Sequence, residues 1–302
     1  MTLPKVALAP GTLWPTIVRR THHALATQAL RPIETAERVI EDGGVRFLVR
    51  SVAGLKHKPK GTAPTRSHDA PARNPFLPYE QDLFVADVSA THVVLLNKFP
   101  VLSHHVLIVT RAYEPQEALL TLEDFQALAV CMEQMRGLAF YNGGSQAGAS
   151  QPHKHLQIVP LPLGRDGPSV PIEPLLAAAP ADVGPDRAPG LAFLHSFVRL
   201  NTAIFTQADV AAEVLAQYYR ALRDATGVGA QLEAGTLHQT VPYNLLLTRE
   251  WMLLVPRAGE LAAGISVNAL GFAGSLFVKT PAQVEQVARI GPMAMLRQVT
   301  IG

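Results

Sequence analysis

A single cysteine in 302 residues, Cys131, has no partner for an intramolecular disulfide and supplies no set of thiolates for a zinc site. No run approaches the eighteen or so consecutive apolar residues that a membrane helix needs. The opening residues also lack an apolar core followed by a small-residue cleavage site, so the expectation is a cytoplasmic chain with no membrane partner. Charge of one sign is scarce as well: 26 basic against 24 acidic residues give a formal +2, and no long basic run accompanies it. That excludes an electrostatic case for nucleic acid and leaves room for a local basic pocket that takes a small polyanion. What the chain does have is 48% hydrophobic residues against 17% charged, enough for the core of one large domain or two ordinary ones.

The most informative stretch runs over residues 141–163, YNGGSQAGASQPHKHLQIVPLPL. Its apolar end reads as a buried strand, along which alternate residues share a face, so His153, His155 and Gln157 are expected on one side and Lys154 and Leu156 on the other. Upstream, Gly143, Gly144 and Gly148 permit a turn whose successive N–H groups form a concave anion nest, expected over residues 148–151. An imidazole beside a phosphate nest points to phosphoryl or nucleotidyl chemistry. The competing reading takes His153 and His155 as two zinc ligands on a strand, but no third ligand lies nearby in the sequence.

HKHLQ, preceded by SQP, resembles the H-x-H-x-Q branch of the histidine-triad superfamily, and NGGSQAGASQPHKHLQ is similar to its ATP adenylyltransferase (diadenosine tetraphosphate phosphorylase) family. The resemblance implies an α+β, histidine-triad-like fold: an antiparallel sheet with packed helices, enlarged by a C-terminal α+β half like that of the galactose-1-phosphate uridylyltransferases. It implies His155 as a nucleophile that attacks an α-phosphorus, aided by His153 and Gln157. It assigns substrate contacts to Lys58 (with Lys56 as the fallback), Asn97, Lys98, Asn142, Gly148, Ala149, Ser150 and Gln151. In the C-terminal motif SVNALGFAGSLFVK it assigns Asn268, Ser275 and Lys279 to a second nucleotide. The implied partners are diadenosine tetraphosphate, ATP, ADP and phosphate, with Mg2+ travelling on the polyphosphate and no metal held by the protein. Hydrolysis of dinucleotides, transfer to a sugar phosphate and a non-catalytic nucleotide-binding role stand as alternatives.

Along the rest of the chain, residues 12–30 predict a helix, and the apolar runs on either side of Asp42-Gly43-Gly44 predict a hairpin. The proline-rich stretch 59–78 predicts an irregular loop beside the substrate, with Arg66 available to a phosphate. Residues 91–97 and 105–110 predict a second hairpin, with His104 and His105 as structural residues. A capping box at Thr121 and Asp124 opens a helix expected to run through Tyr141, with Cys131 in its core stripe. The Pro/Ala/Gly-rich residues 166–190 predict a linker between a catalytic half, 1–165, and a C-terminal half, 191–302. In that second half, helices are predicted over 191–204 and 208–222, then a hairpin over 243–255. Without the resemblance, 266–279 reads as a glycine-bent strand.

Overall fold

The computed structural model describes residues 3, 5–52, 74–179 and 185–302. Helix α1 (Leu13–Ala26) is followed by the hairpin β1 (Thr35–Asp42) and β2 (Val45–Val52), then β3 (Phe84–Asp87), β4 (His92–Leu96) and β5 (Val106–Thr110). Helix α2 (Leu122–Gln134) leads into β6 (Gly137–Gly143) and β7 (His155–Pro160), and a short α3 (Glu173–Ala177) precedes β8 (Ser196–Arg199). Then come α4 (Ala208–Thr226), the hairpin β9 (Ala230–Glu233) and β10 (Thr236–Gln239), β11 (Tyr243–Leu247) and β12 (Trp251–Pro256). The chain closes with β13 (Leu261–Ala262), β14 (Ile265–Ser266), α5 (Ala269–Phe272), β15 (Ser275–Val278), α6 (Pro281–Ile290) and α7 (Pro292–Gln298).

Eight strands form one antiparallel sheet in the order β3-β4-β5-β7-β6-β11-β12-β8. The sheet passes straight from the first half of the chain to the second through the β6–β11 pair, in which Asn142 lies opposite Asn244. Helices α1, α2 and α4 cover one face, packing on Leu96, Ile108, Tyr141, Leu156 and Leu245. The opposite face carries Leu138, Phe140, Val159 and Leu253 and is covered by a three-stranded sheet, β1-β2-β15, with α5, α6 and α7. In that small sheet β15 runs parallel to β2, which fastens the C-terminal motif to the N-terminal hairpin.

The helix predicted through Tyr141 ends at Gln134, and residues 137–143 are a central strand instead. A run buried on both faces has no period with which to tell helix from strand, and every residue of β6 is buried. Gly137 marks the change: a Cβ there would stand 2.6 Å from Ile158 Cγ2 and 2.8 Å from the Val159 carbonyl. Residues 191–204 likewise form the edge strand β8 and a 3-10 turn rather than a helix, because pairing with β12 outweighs local propensity. The stretch 266–279 is broken by α5 between β14 and β15. The Thr121–Asp124 capping box is present as predicted.

Asp124 does more than cap. Its Oδ2 lies 2.7 Å from Lys154 Nζ and also accepts from the Thr121 N–H, while Oδ1 lies 3.0 Å from His92 Nε2. Burial by itself would raise this carboxyl's pKa, but the Lys154 charge and the His92 hydrogen bond outweigh it and hold the group ionised well below the usual range. The cluster clamps α2 to the helix side of β7, the side on which Lys154 was expected. Asp124→Ala should therefore destabilise the protein by about 3–5 kcal/mol in urea unfolding, because it takes from the buried Lys154 ammonium its buried counter-charge, leaving only the half-exposed Glu114, and removes the partner of His92 and the helix cap. The double variant Asp124→Leu/Lys154→Met should recover a large part of that loss.

Candidate active site

His155 opens β7 on the face turned away from the helices. Its Nδ1–H donates to the His153 carbonyl at 2.8 Å, which leaves Nε2 without a partner among the described residues. The ring lines a cleft of about 250 Å³ with Gln157, Asn97, Lys98, Ser150, Gln151 and Phe76. Burial pushes the His155 pKa down to about 4, against a partial rise from the His153 carbonyl, so the imidazole is neutral at physiological pH. A buried, uncharged ring with one nitrogen tied and the other facing a cleft is an oriented nucleophile.

Two amide-to-imidazole relays hold the surroundings. In the first, the Phe99 N–H donates to Asn97 Oδ1, so Asn97 Nδ2 is the donor to His105 Nδ1 at 3.0 Å. His105, whose pKa burial lowers to about 4, then carries its proton on Nε2 and donates to Gln157 Oε1 at 3.0 Å. The Gln157 NH2 is left pointing its donors toward the cleft. In the second, the Phe76 N–H donates to Asn74 Oδ1, and Asn74 Nδ2 donates to His153 Nδ1 at 2.9 Å. His153 Nε2–H is spent on the Thr110 and Ala112 carbonyls. His153 is thus fully buried and acts through its backbone carbonyl; its imidazole reaches neither His155 nor the cleft, and with both ring nitrogens bonded it is not poised to hold a metal. Among the described residues no group of three or more His, Cys, Asp or Glu could hold a metal ion.

The other expected contacts divide. Because β4 stops at Leu96, both Asn97 and Lys98 turn into the cleft, Lys98 in an ion pair with Glu80. In the glycine turn Gly148 N–H and Ala149 N–H are already given to the Ser145 and Gly144 carbonyls, so the anion nest narrows to the Ser150 and Gln151 amides, which meet no acceptor among the described residues. Gly148 has φ +88°, and a Cβ on it would press 2.8 Å from Asn268 Cβ. Asn142 does not reach the cleft. It is buried with its Oδ1 accepting from Asn244 Nδ2 and from the Ala269 N–H, both at 2.9 Å. Lys56, Lys58 and Arg66 lie outside the described residues.

A second cleft of about 250 Å³ brings together Asn268, Ser275, Lys279 and Arg50. Asn268 caps α5 by accepting from the Leu270 N–H, and buried Ser275 accepts from Arg50 Nη1 at 2.5 Å. Arg50 is itself held by Glu37 at 2.6 Å and by the Leu163 carbonyl. The turn over residues 97–101 stands between the clefts, with Lys98 and Phe99 facing the first and Val101 the second. His105, Gln116, Phe76 and Arg50 escaped the sequence reading as site residues. Gln116, wholly buried, accepts from the His155 N–H and donates to the His155 and Asn142 carbonyls. A polar side chain amid the apolar 105–110 run was the available signal for His105; nothing local marked Gln116.

Since unfolded histidine titrates near 6.5, His105 and His155 bind protons in the unfolded chain that the folded chain refuses between about pH 6.5 and 4. Their contribution to stability is therefore intact above pH 6.5 and falls as pH drops through that window. NMR titration of the ring C–H signals should show neither histidine protonating between pH 8 and 5, and His105→Gln should flatten part of the acid loss in urea unfolding.

Comparison with known proteins agrees with this layout. Residues 4–178 match the Ap4A phosphorylase N-terminal domain and residues 189–302 the ATP adenylyltransferase C-terminal domain. Two proteins of Saccharomyces cerevisiae are similar: diadenosine 5',5'''-P1,P4-tetraphosphate phosphorylase 2, 27% identical over 74% of each chain, and Protein APA1, 28% identical over 77% of this chain and 75% of that one. The crystal structure of the yeast Ap4A phosphorylase Apa2 in complex with Ap4A shares the fold, with a TM-score of 0.79 at 23% identity over 97% of this chain and 99% of that one. The two domain matches, end to end along the sequence, show that the chain belongs to the Ap4A phosphorylase family.

Proposed function

We propose that His155 carries the reaction of this family, phosphorolysis of Ap4A to ATP and ADP, through a covalent AMP–histidine. Nε2 attacks the α-phosphorus of one adenylyl group; the N–P bond forms as the bond from that phosphorus to the bridging oxygen breaks, and ATP leaves. An oxygen of inorganic phosphate then attacks the same phosphorus, the N–P bond breaks, and ADP is released. The observation that carries this reading is the Nδ1–H bond to the His153 carbonyl, which aims Nε2 and shares the positive charge that the ring acquires in the intermediate.

Negative charge spread over the phosphoryl oxygens is met by donors already in place, the Ser150 and Gln151 amides, the Ser150 hydroxyl and the Gln157 NH2, with Lys98 joining them as phosphate replaces its Glu80 partner. None of these hands a proton to the leaving group, and a nucleotide polyphosphate needs none. The adenylyl group undergoing transfer occupies the His155 cleft, and the second nucleoside occupies the Arg50–Ser275–Lys279 cleft. Lys58 is assigned to the polyphosphate between them by resemblance. Mg2+ fits as a companion of the polyphosphate, where it neutralises phosphate charge, because Glu80, the carboxylate lining the His155 cleft, is already paired with Lys98.

Incubation with Ap4A without phosphate should add one AMP to the intact-protein mass, and His155→Ala should abolish both the adduct and turnover. With phosphate, ATP and ADP should appear in equal amounts; ATP and AMP formed regardless of phosphate would mean hydrolysis and sink the proposal. His105→Phe should lower kcat by about 10–10²-fold with little change in KM, because it releases Gln157 from its donor orientation without removing it. An unchanged kcat would refute the relay.

A further inference from the structure

Behind β7, on the helix side of the sheet, lies a cleft of about 920 Å³ that the reaction leaves unused. Residues 119–122 and Lys154 form its floor, α4 one wall, and the β9–β10 turn at 235–237 the other. Within it Arg223 is out of place electrically. The residue is nine-tenths buried, yet its Nε meets no acceptor and one N–H has only the Val228 carbonyl at 3.5 Å. The guanidinium lies 5.0 Å from the Tyr219 ring centre and pairs with no carboxylate among the described residues. Buried donors are ordinarily satisfied, and a desolvated cation without a counter-charge is costly. Arg220, one turn earlier, lines the same cleft.

The remaining lining restricts what would complete the site. Lys154 is already neutralised by Glu114 and Asp124, so the available positive charge is the Arg220–Arg223 pair. Glu213 lines the cleft ten residues before Arg223 on α4, ~15 Å away along the helix axis. A polyphosphate extended along the cleft would run from the arginines into that carboxylate. A single phosphate at the arginine end meets no such conflict. Between the ends, Leu119, Leu120, Ala216 and Leu237 offer an apolar wall, and Glu213 and Glu114 can accept from hydroxyl or amino groups. The volume lies in the range that small-molecule sites occupy.

We infer that this cleft is a second ligand site, separate from the catalytic one, for a phosphate monoester with an apolar or aromatic hydroxyl-bearing body, of the nucleoside monophosphate class, its phosphate held by Arg220 and Arg223. The inference stands on the cleft alone and does not depend on the reaction assigned to His155.

Equilibrium dialysis of the full chain with labelled AMP tests it. The two catalytic clefts can each take AMP, so wild type should bind one AMP per chain more than those clefts account for. Arg220→Met/Arg223→Met should lose that one equivalent while leaving Ap4A turnover within about twofold. Leu237→Glu, at an exposed position on the lip where folding is not at stake, should weaken the second site tenfold or more by putting a charge into the apolar wall that the body of the ligand meets. An AMP stoichiometry that is the same in wild type and in both variants would overturn the assignment. Equal affinity for AMP and inorganic phosphate at the arginine-dependent site would also overturn it, since the apolar wall would then contribute nothing.

Discussion

Asn142 and Asn244 face each other across the β6–β11 pair, and the rest of the molecule hangs on how their amides are spent. Asn244 Nδ2 donates to Asn142 Oδ1 and to the Ala147 carbonyl, and Asn244 Oδ1 accepts from Arg257 Nη1 at 2.5 Å. Arg257, 1% exposed, sends its other donors to the carbonyls of Val267, Gly259 and Val299. Burial lowers its pKa to about 10, which still leaves it charged at neutral pH. A buried cation satisfied wholly by neutral oxygens fixes every backbone segment that supplies them, because releasing any one would strand a desolvated donor. The segments so fixed are the glycine turn, the approach to α5 and the C-terminus. The turn that offers Ser150 and Gln151 to the first cleft and the Asn268 motif that lines the second are therefore one rigid unit, and neither half of the chain can form it alone.

Proton placement follows the same economy of amides. Asn97 and Asn74 each have their oxygen claimed by a backbone N–H two residues on, which forces their NH2 groups onto histidine nitrogens. That fixes the tautomers of His105 and His153, and the first of these fixes which end of Gln157 faces the cleft. Burial adds to this by keeping the rings neutral. Among the described residues, a site made this way holds no general acid beside His155, and this suits a leaving group that departs as a stable polyphosphate anion. An amine leaving group would be poorly served by it.

Much of this was legible in the sequence because it is local. The alternation in HKHLQ placed His155 and Gln157 on one face and Lys154 on the other, glycines marked the hairpin turn, and Thr121 and Asp124 marked a helix start. The misreadings share a cause, which is distance along the chain. Asn142 reads as a nucleotide contact by its spacing from His155, but its side-chain oxygen is bonded to Asn244, 102 residues away, a tie no local pattern shows. Residues 137–143 continue an apolar helical stripe until β7 and β11 claim their backbone from either side. His105 reads as structural because its proton matters only once Gln157 is brought opposite Leu107 by the β5–β7 pairing.

The parallel pairing of β15 with β2 has a consequence for substrate size. It sets Arg50, from the first fifty-two residues, against Ser275, from the last thirty, so the second cleft is assembled from both ends of the chain while the first comes from its middle. A mononucleotide would need only the middle. A dinucleotide joined by a polyphosphate has to be gripped at two places whose separation does not drift, since reaction at one α-phosphorus requires that phosphorus to stay in line with Nε2 while the far nucleoside is held. Setting the two grips on separate domains with a flexible joint would surrender that alignment. Running one sheet through both halves and locking the junction with Arg257 holds the two clefts at a fixed separation, which is what a reaction of the proposed kind requires of a two-part chain.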